Sequence, residues 1–281
     1  MTRWVRVLAA VAVVGALSVP AGASEGVGTI FGLGSSGRAL GLGGAFMALA
    51  DDEGCVLYSP ASLGWNESIG IVSLLASGFG GIAHGVVGFS MPYFGVNVFL
   101  LDSGSIPTGS GSFRYVSQGF AASLGVPIGP LGLGLRGRML RISAPTDGVG
   151  WAIDPEIVIA VDSIRAAVMV EGALSSPVIY DGGASDGWER SIRLGAAVTL
   201  SPTDDVLWSV AFEASGLFTA SPRLTGGVEA WIGGIGARAG FDGQGPTFGL
   251  SVRFSSLQFD WAYAMRSDLG DSHRVSFTYR F

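Results

Sequence analysis

Apolar and polar residues alternate one by one at the end of the chain. Between Ser272 and Phe281, Val275, Phe277, Tyr279 and Phe281 fall on one face of an extended strand, and Arg274, Ser276, Thr278 and Arg280 on the other. The same period of two recurs upstream. Leu257, Phe259, Trp261, Tyr263 and Met265 alternate with Gln258, Asp260, Ala262 and Ala264, and Phe248, Leu250, Val252 and Phe254 with Thr247, Gly249, Ser251 and Arg253. Followed from residue 67 onward, the pattern predicts fourteen strands: 67–78, 82–90, 95–102, 113–126, 131–142, 151–161, 164–174, 188–200, 206–215, 224–232, 235–242, 247–254, 257–265 and 272–281. Their lengths lie near the 9–11 or so residues that a tilted strand needs to cross a bilayer.

The connections are asymmetric. Even-numbered ones are tight, as at 162–163, 233–234 and 255–256, whereas most odd ones are longer and rich in Gly, Ser and Asp, as at 103–112, 143–150, 175–187 and 216–223. Two odd ones, 79–81 and 243–246, are short. Short turns on one side and longer loops on the other belong to a bacterial outer-membrane barrel, and an even strand count puts both barrel ends in the periplasm. The expected fold class is therefore all-β: a transmembrane antiparallel β-barrel of about 14 strands.

Composition agrees with a lipid environment. Mean hydropathy is positive, only 14% of residues are charged and 46 are glycine. The stretch 68–101 carries no charged residue, but its glycines and Pro92 break it into short strands and argue against a membrane-spanning helix. Arg3 and Arg6, an apolar run over 7–19 and Ala21-Gly22-Ala23 read as a cleaved secretory signal over 1–23. All 22 acidic residues and 14 of the 16 cationic ones follow it, a net charge of −8 that argues against nucleic acid as a partner. Cys55, the single cysteine, allows no intrachain disulfide.

Alternation also assigns charges to the inner face: Arg136, Arg138, Glu171, Arg193, Glu213, Glu229, Arg238, Arg253, Asp260 and Arg274 among them. They read either as bracing for the wall or as the lining of a polar conduit. The segment 24–66 precedes the barrel, over 67–281, and is too apolar for a free periplasmic tail. It is expected to fold into the lumen as a plug, with Arg38 and Asp51 or Asp52 placed to pair with lumen charges and Pro60 in its second half.

Catalytic and metal motifs carry little weight here. Gly32 to Gly37 and Gly132 to Gly137 both spell a dinucleotide-binding pattern, without the strand, helix and distal acid that the mechanism requires. Gly183 to Gly187 spells a nucleophile elbow inside a polar loop. His84 and His273 stand on different strands, and Asp51-Asp52-Glu53 lacks the ligand spacing of a calcium loop. No catalytic residue, cofactor or metal site is expected, and a lipid-directed barrel enzyme using His84 or His273 is the minor reading.

The run Gly37-Arg38-Ala39-Leu40-Gly41-Leu42-Gly43-Gly44-Ala45-Phe46-Met47-Ala48-Leu49-Ala50-Asp51-Asp52, followed by Tyr58-Ser59-Pro60-Ala61-Ser62-Leu63-Gly64, resembles the amino-terminal block of PorV/PorQ-type outer-membrane proteins, which are similar in turn to FadL-type transporters of hydrophobic compounds. Phe259-Asp260-Trp261-Ala262-Tyr263 and Leu269-Gly270-Asp271-Ser272-His273-Arg274 extend the resemblance to the carboxy-terminal third, while the middle matches only in strand rhythm. Ser59 and Ser62 depart from the asparagine and glycine more usual around that proline. The resemblance implies an outer-membrane barrel with its amino terminus packed inside, and two kinds of job. One is a passive channel for hydrophobic or small amphipathic molecules, which often leave sideways through a gap in the wall. The other is a scaffold or shuttle that binds exported or secretion-system proteins. A break in wall hydrogen bonding, near Pro155 or in the glycine-rich 78–88 region, would favour the channel. Short polar outer loops count against a large protein-binding surface.

Overall fold

The computed structural model describes residues 27–78, 82–109, 111–265 and 271–281. The expected leader, the start of the plug at 24–26 and the connection at 79–81 lie outside the described residues. Sixteen strands follow one another: β1 (Gly70–Gly78), β2 (Ile82–Met91), β3 (Phe94–Thr108), β4 (Gly111–Ile128), β5 (Leu131–Ser143), β6 (Asp147–Val161), β7 (Ile164–Glu171), β8 (Leu174–Tyr180), β9 (Ser185–Asp186), β10 (Ser191–Thr203), β11 (Val206–Leu217), β12 (Arg223–Ile232), β13 (Ile235–Phe241), β14 (Pro246–Phe254), β15 (Leu257–Ala264) and β16 (Ser272–Arg280).

Neighbouring strands pair antiparallel. Because β1 also pairs with β16, from Gly70↔Arg280 to Ala76↔Arg274, the strands β1–β7 and β10–β16 close into a 14-strand barrel. Closure satisfies the backbone in lipid, where an unpaired N–H or C=O finds no water. Among the described residues no helix is long and apolar enough to cross a membrane, and the uncharged stretch 68–101 is the β1–β2–β3 wall.

The alternation sorts the two faces. Leu250, Val252, Phe254 and Phe277 are exposed on the outside, while their neighbours Ser251, Ser276 and Thr278 are buried on the inside. At three of the tight turns a residue other than glycine takes the left-handed conformation, Tyr93 (φ 69°), Asp162 (φ 51°) and Ser255 (φ 52°), which suits the twist of a hairpin.

Three sequence expectations need correction. Much of 103–112, 143–150 and 175–187 is not loop: β3 with β4, β5 with β6, and β8 with β9 continue as paired strands beyond the rest of the wall. Alternation in these stretches is blurred by Gly and Ser, so it did not register as strand. The described part of 78–88, where a break would favour the channel, is paired throughout, whereas near Pro155 the wall is continuous on one edge only. β1 and β2 pair without shift from Gly70↔Ser90 to Gly78↔Ile82; Pro155 sits opposite Leu135 in an unshifted β5–β6 ladder, but on its other edge the ladder steps from Ile153↔Leu174 on β8 to Glu156↔Met169 on β7, with no pair at Asp154 or Pro155 among the described residues. Finally, the strand expected over 164–174 ends at Glu171 and resumes as β8 at Leu174.

The inner face is not polar throughout. Val72, Leu74, Val86, Phe99, Leu140 and Ile142 point inward and are buried, which explains why β1–β3 carry so little charge: one face meets lipid and the other meets an apolar filling. That filling is the segment 27–66. It contains a 3-10 turn (Thr29–Gly32), the short helix α1 (Gly37–Gly41), the turn-long helix α2 (Cys55–Tyr58) and a second 3-10 helix (Pro60–Trp65). Ile30, Leu42, Phe46, Met47, Val56 and Leu63 are all at most 2% exposed, so the segment supplies much of the core of the barrel.

Candidate functional site

The plug is held by four groups of polar contacts. Ser36, extended at φ −148°, caps α1 by accepting a hydrogen bond from the Ala39 N–H, and this aims Arg38 at the wall. Arg38 donates through Nε and Nη2 to the two carboxylate oxygens of Glu229 on β12, at 2.9 and 2.6 Å. Its Nη1 donates to Asp51 at 2.5 Å and Asp52 at 2.7 Å. Phe46 lies beneath the guanidinium, 5.1 Å from its ring centre. Burial disfavours the Arg38 cation, but Asp51, Glu229 and Asp52 outweigh it and hold the group charged. For Asp52 burial prevails over the attraction of Arg38 and pushes its carboxyl above the usual range.

Asp51 and Asp52 thus pair within the plug and not with the wall. Glu229 is shared by Arg238 at 2.5 Å; Arg238 continues to Ser251, Ser251 donates to Asp260, and Asp260 accepts from Ser276 at 3.1 Å and Gln258 at 2.8 Å. Ser276 in turn accepts from the Gly37 N–H at 2.8 Å, which returns the network to α1.

The second group holds the Pro60–Trp65 turn. Glu156 accepts from the Ser59 hydroxyl at 2.9 Å and from the Ala61 N–H at 2.8 Å, and Ser59 Oγ accepts from the Ser62 N–H at 3.3 Å. Ser59 and Ser62 therefore form the turn's cap. The backbone comes so close to the wall here that a Cβ on Gly134 would lie 2.2 Å from the Ala61 nitrogen, and one on Gly125 2.2 Å from the Pro60 oxygen. A third group joins Glu53 to Arg280 and to the Ser68 hydroxyl, the latter at 2.7 Å. Burial opposes ionisation of Glu53, but the Arg280 and Ser68 hydrogen bonds prevail and hold its carboxyl below the usual range. The fourth group is spread along the wall. Arg136 and Arg138 pair with Asp154, Arg193 bridges Glu213 and Glu171, and Glu213 accepts from the Met47 N–H at 3.2 Å. Arg274 donates to the Leu33 carbonyl, and Arg253 rests on Gln258 and Trp231.

The wall itself has a seam. On one side β7 and β8 both pair with β6. On the other, the β7–β10 ladder stops at Glu171↔Ser191, and β8 is next met at Val178↔Asp186, so six residues, 172–177, face four, 187–190, with no ladder pair among the described residues. The Gly172 N–H turns inward to Asp154 at 2.8 Å, and Pro177 has no N–H to offer. Val27 of the plug forms a parallel bridge to Trp188, its N–H reaching the Gly187 carbonyl at 3.3 Å. Trp188 then packs against Gly28, whose φ of +104° and lack of a Cβ admit the indole ring.

Behind the seam lies a packed apolar cluster. Phe31 meets Phe99 edge-on at 4.9 Å, and Trp188, Leu140, Ile142 and Val178 belong to the same buried cluster. Arg138 is its cation, 5.1 Å from the Phe31 ring and 5.0 Å from that of Trp188. The indole N–H of Trp188 is buried there without a hydrogen-bond partner. Sequence reasoning passed over Phe31 and Trp188. An aromatic residue within an otherwise polar stretch, Asp186-Gly187-Trp188-Glu189-Arg190, is the one signal that was present.

No family model and no curated protein matches the sequence. Solved structures do match in shape. A FadL homologue from Pseudomonas aeruginosa superposes with a TM-score of 0.52, covering 89% of this chain and 99% of its own, at 10% identity. The Pseudomonas putida toluene transporter TodX superposes with a TM-score of 0.57, covering 88% of this chain and 98% of its own, at 12% identity. The chain is an outer-membrane β-barrel. At such identity the likeness is one of fold. Neither His84 nor His273 joins a metal cluster: among the described residues no three His, Cys, Asp or Glu side chains converge. His84 Nε2 lies 3.3 Å from the Gly34 carbonyl, and His273 stacks on Tyr263 and Trp261.

Proposed function

We propose that this protein is a passive outer-membrane channel for hydrophobic or small amphipathic molecules. The observation that carries the reading is the seam between β8 and 187–190, with a buried apolar cluster directly behind it. A break in the hydrogen-bonded wall is where an apolar solute can pass between lumen and lipid without crossing a polar layer. Arg138 and the unpartnered Trp188 N–H offer donors for a polar head, so amphipathic solutes suit this path as well as purely apolar ones. The likeness of fold to TodX and to a FadL homologue supports the same reading. In it, 27–66 acts as the gate, the charges around Arg38 and Arg193 seat that gate, and no catalytic step is involved.

A second reading follows from how completely the plug fills the lumen. A barrel held shut could serve as a PorV-like scaffold for exported or secretion-system proteins, and its extended β3–β4 and β5–β6 hairpins would then be the contact surface. One measurement separates the two: mass spectrometry, for lipids and for proteins, of the barrel purified gently from its native membrane beside an unrelated barrel. Stoichiometric hydrophobic molecules found on this barrel alone are the expected result. Reproducible surface or secretion proteins, with no such molecules, would replace the channel by the scaffold.

A further inference from the structure

We propose that the periplasmic mouth of the barrel binds a small zwitterion, a molecule carrying both a carboxylate and an ammonium group on a short body. A cavity of about 400 Å³ opens there between the plug and the turns that join β10 to β11 and β12 to β13. Its volume suits a ligand of a few residues at most, and its lining is mainly polar.

Most of the charge around this cavity is already matched. Arg38 is shared among Asp51, Asp52 and Glu229, and Arg280 is held by Glu53. Three groups are not. Arg253 donates through Nε and Nη2 to the neutral oxygen of Gln258, at 2.9 and 2.7 Å, and no carboxylate lies within ion-pair reach of it among the described residues. The Trp231 ring, 4.5 Å from its guanidinium carbon, holds it in place, with Arg238 also stacked on that ring at 5.0 Å. Asp204 and Asp205, on the β10–β11 turn, likewise have no cation partner among the described residues. One guanidinium and two carboxylates therefore face a common cavity without reaching one another.

The ligand that answers such a lining is dipolar. A simple anion on Arg253 would face the carboxylates of Asp51, Asp204 and Asp205, and a simple cation on those carboxylates would leave Arg253 unanswered and repel it. A molecule with its carboxylate on Arg253 and its ammonium group toward Asp204 and Asp205 meets both, with Val206 and Leu207 beside its body. Metal ions do not fit the lining, since no three ligating side chains converge among the described residues. The site lies at the opposite end of the plug from the seam, so it stands or falls independently of the hydrophobic channel.

The test is isothermal titration calorimetry of the intact barrel in detergent with three probes: L-alanyl-L-alanine, its N-acetyl derivative, which lacks the ammonium group, and its C-terminal amide, which lacks the carboxylate. The dipeptide is expected to bind once per barrel, and each blocked peptide at least about tenfold more weakly. Arg253→Gln should weaken the dipeptide without weakening the amide. The double variant Asp204→Asn/Asp205→Asn should weaken the dipeptide without weakening the N-acetyl form. Because Asp204 and Asp205 are exposed turn residues, the double variant remains a fair test even if Arg253→Gln fails to fold. No saturable heat with millimolar dipeptide, equal binding of all three probes, or unaltered dipeptide binding in both variants would overturn the proposal.

Discussion

Arg38 and Glu229 stand 191 residues apart in the chain and meet through two hydrogen bonds, with the Arg38 side chain 3% exposed and that of Glu229 fully buried. This pair joins the plug to β12 in the wall, and among the described residues Arg38 is the only cation the three carboxylates Asp51, Asp52 and Glu229 share on the plug side.

Replacing Arg38 by Gln leaves those carboxylates without that cation. Removing one member of a buried ion pair costs about 3–5 kcal/mol, and the loss should fall on the seating of the plug, since residue 38 takes no part in the strand ladder. Planar-bilayer recordings are expected to show higher conductance than wild type, and limited proteolysis to cut within 27–66. Wild-type conductance together with wild-type protection would mean that this pair does not hold the plug.

Glu53 makes plug seating depend on pH. Its folded carboxyl titrates below the value of about 4.3 expected for an unfolded chain. As pH falls the unfolded chain therefore takes up the proton first. The contribution is fully present above the unfolded value and is lost as pH drops through the folded one. The thermal midpoint of wild type should exceed that of Glu53→Gln by a constant margin from neutral pH down to about 5, and the margin should shrink below that. A margin that does not change with pH would remove the Glu53–Arg280 pair as its source.

Gly134 tests the close approach of the Pro60–Trp65 turn. A Cβ there would sit 2.2 Å from the Ala61 nitrogen, whereas Gly137 in the same strand has nothing within 4 Å. Gly134→Val should give a barrel that still migrates as folded before heating but whose plug is open to protease. Gly137→Ala should behave as wild type; equal protection in both variants would refute the contact.

Leu250 tests the lipid-facing assignment. It is 55% exposed on β14 beside the buried Ser251. Leu250→Arg should lower the folding free energy in lipid by about 2–4 kcal/mol if the position lies near the midplane. The measurement is equilibrium unfolding in phospholipid vesicles, and an unaltered free energy would place this face away from the hydrocarbon.

The fourteen wall strands were legible because lipid on one side and a packed lumen on the other impose a period of two that each strand carries locally. Val275, Phe277 and Tyr279 needed no partner to reveal their common face. Where that contrast fades, so does the signal. The extensions of β3 to Thr108 and β4 from Gly111 stand clear of the tightest wall, and β1 packs apolar residues on both faces.

Alternation could put Glu229 and Arg238 on one face and mark Arg38 as a lone cation in an apolar segment, but it said nothing about which of them meet. That Asp51 and Asp52 turn back on Arg38, that Ser59 and Ser62 cap a turn on Glu156, and that Trp188 and Phe31 pack together behind a seam are decided only in three dimensions. The sequence by itself determined which side of the wall each residue faces, because that choice depends on its own solvent preference. The closed ring decided the partners, because only closure brings β12 around to α1 and lets the plug meet every strand at once.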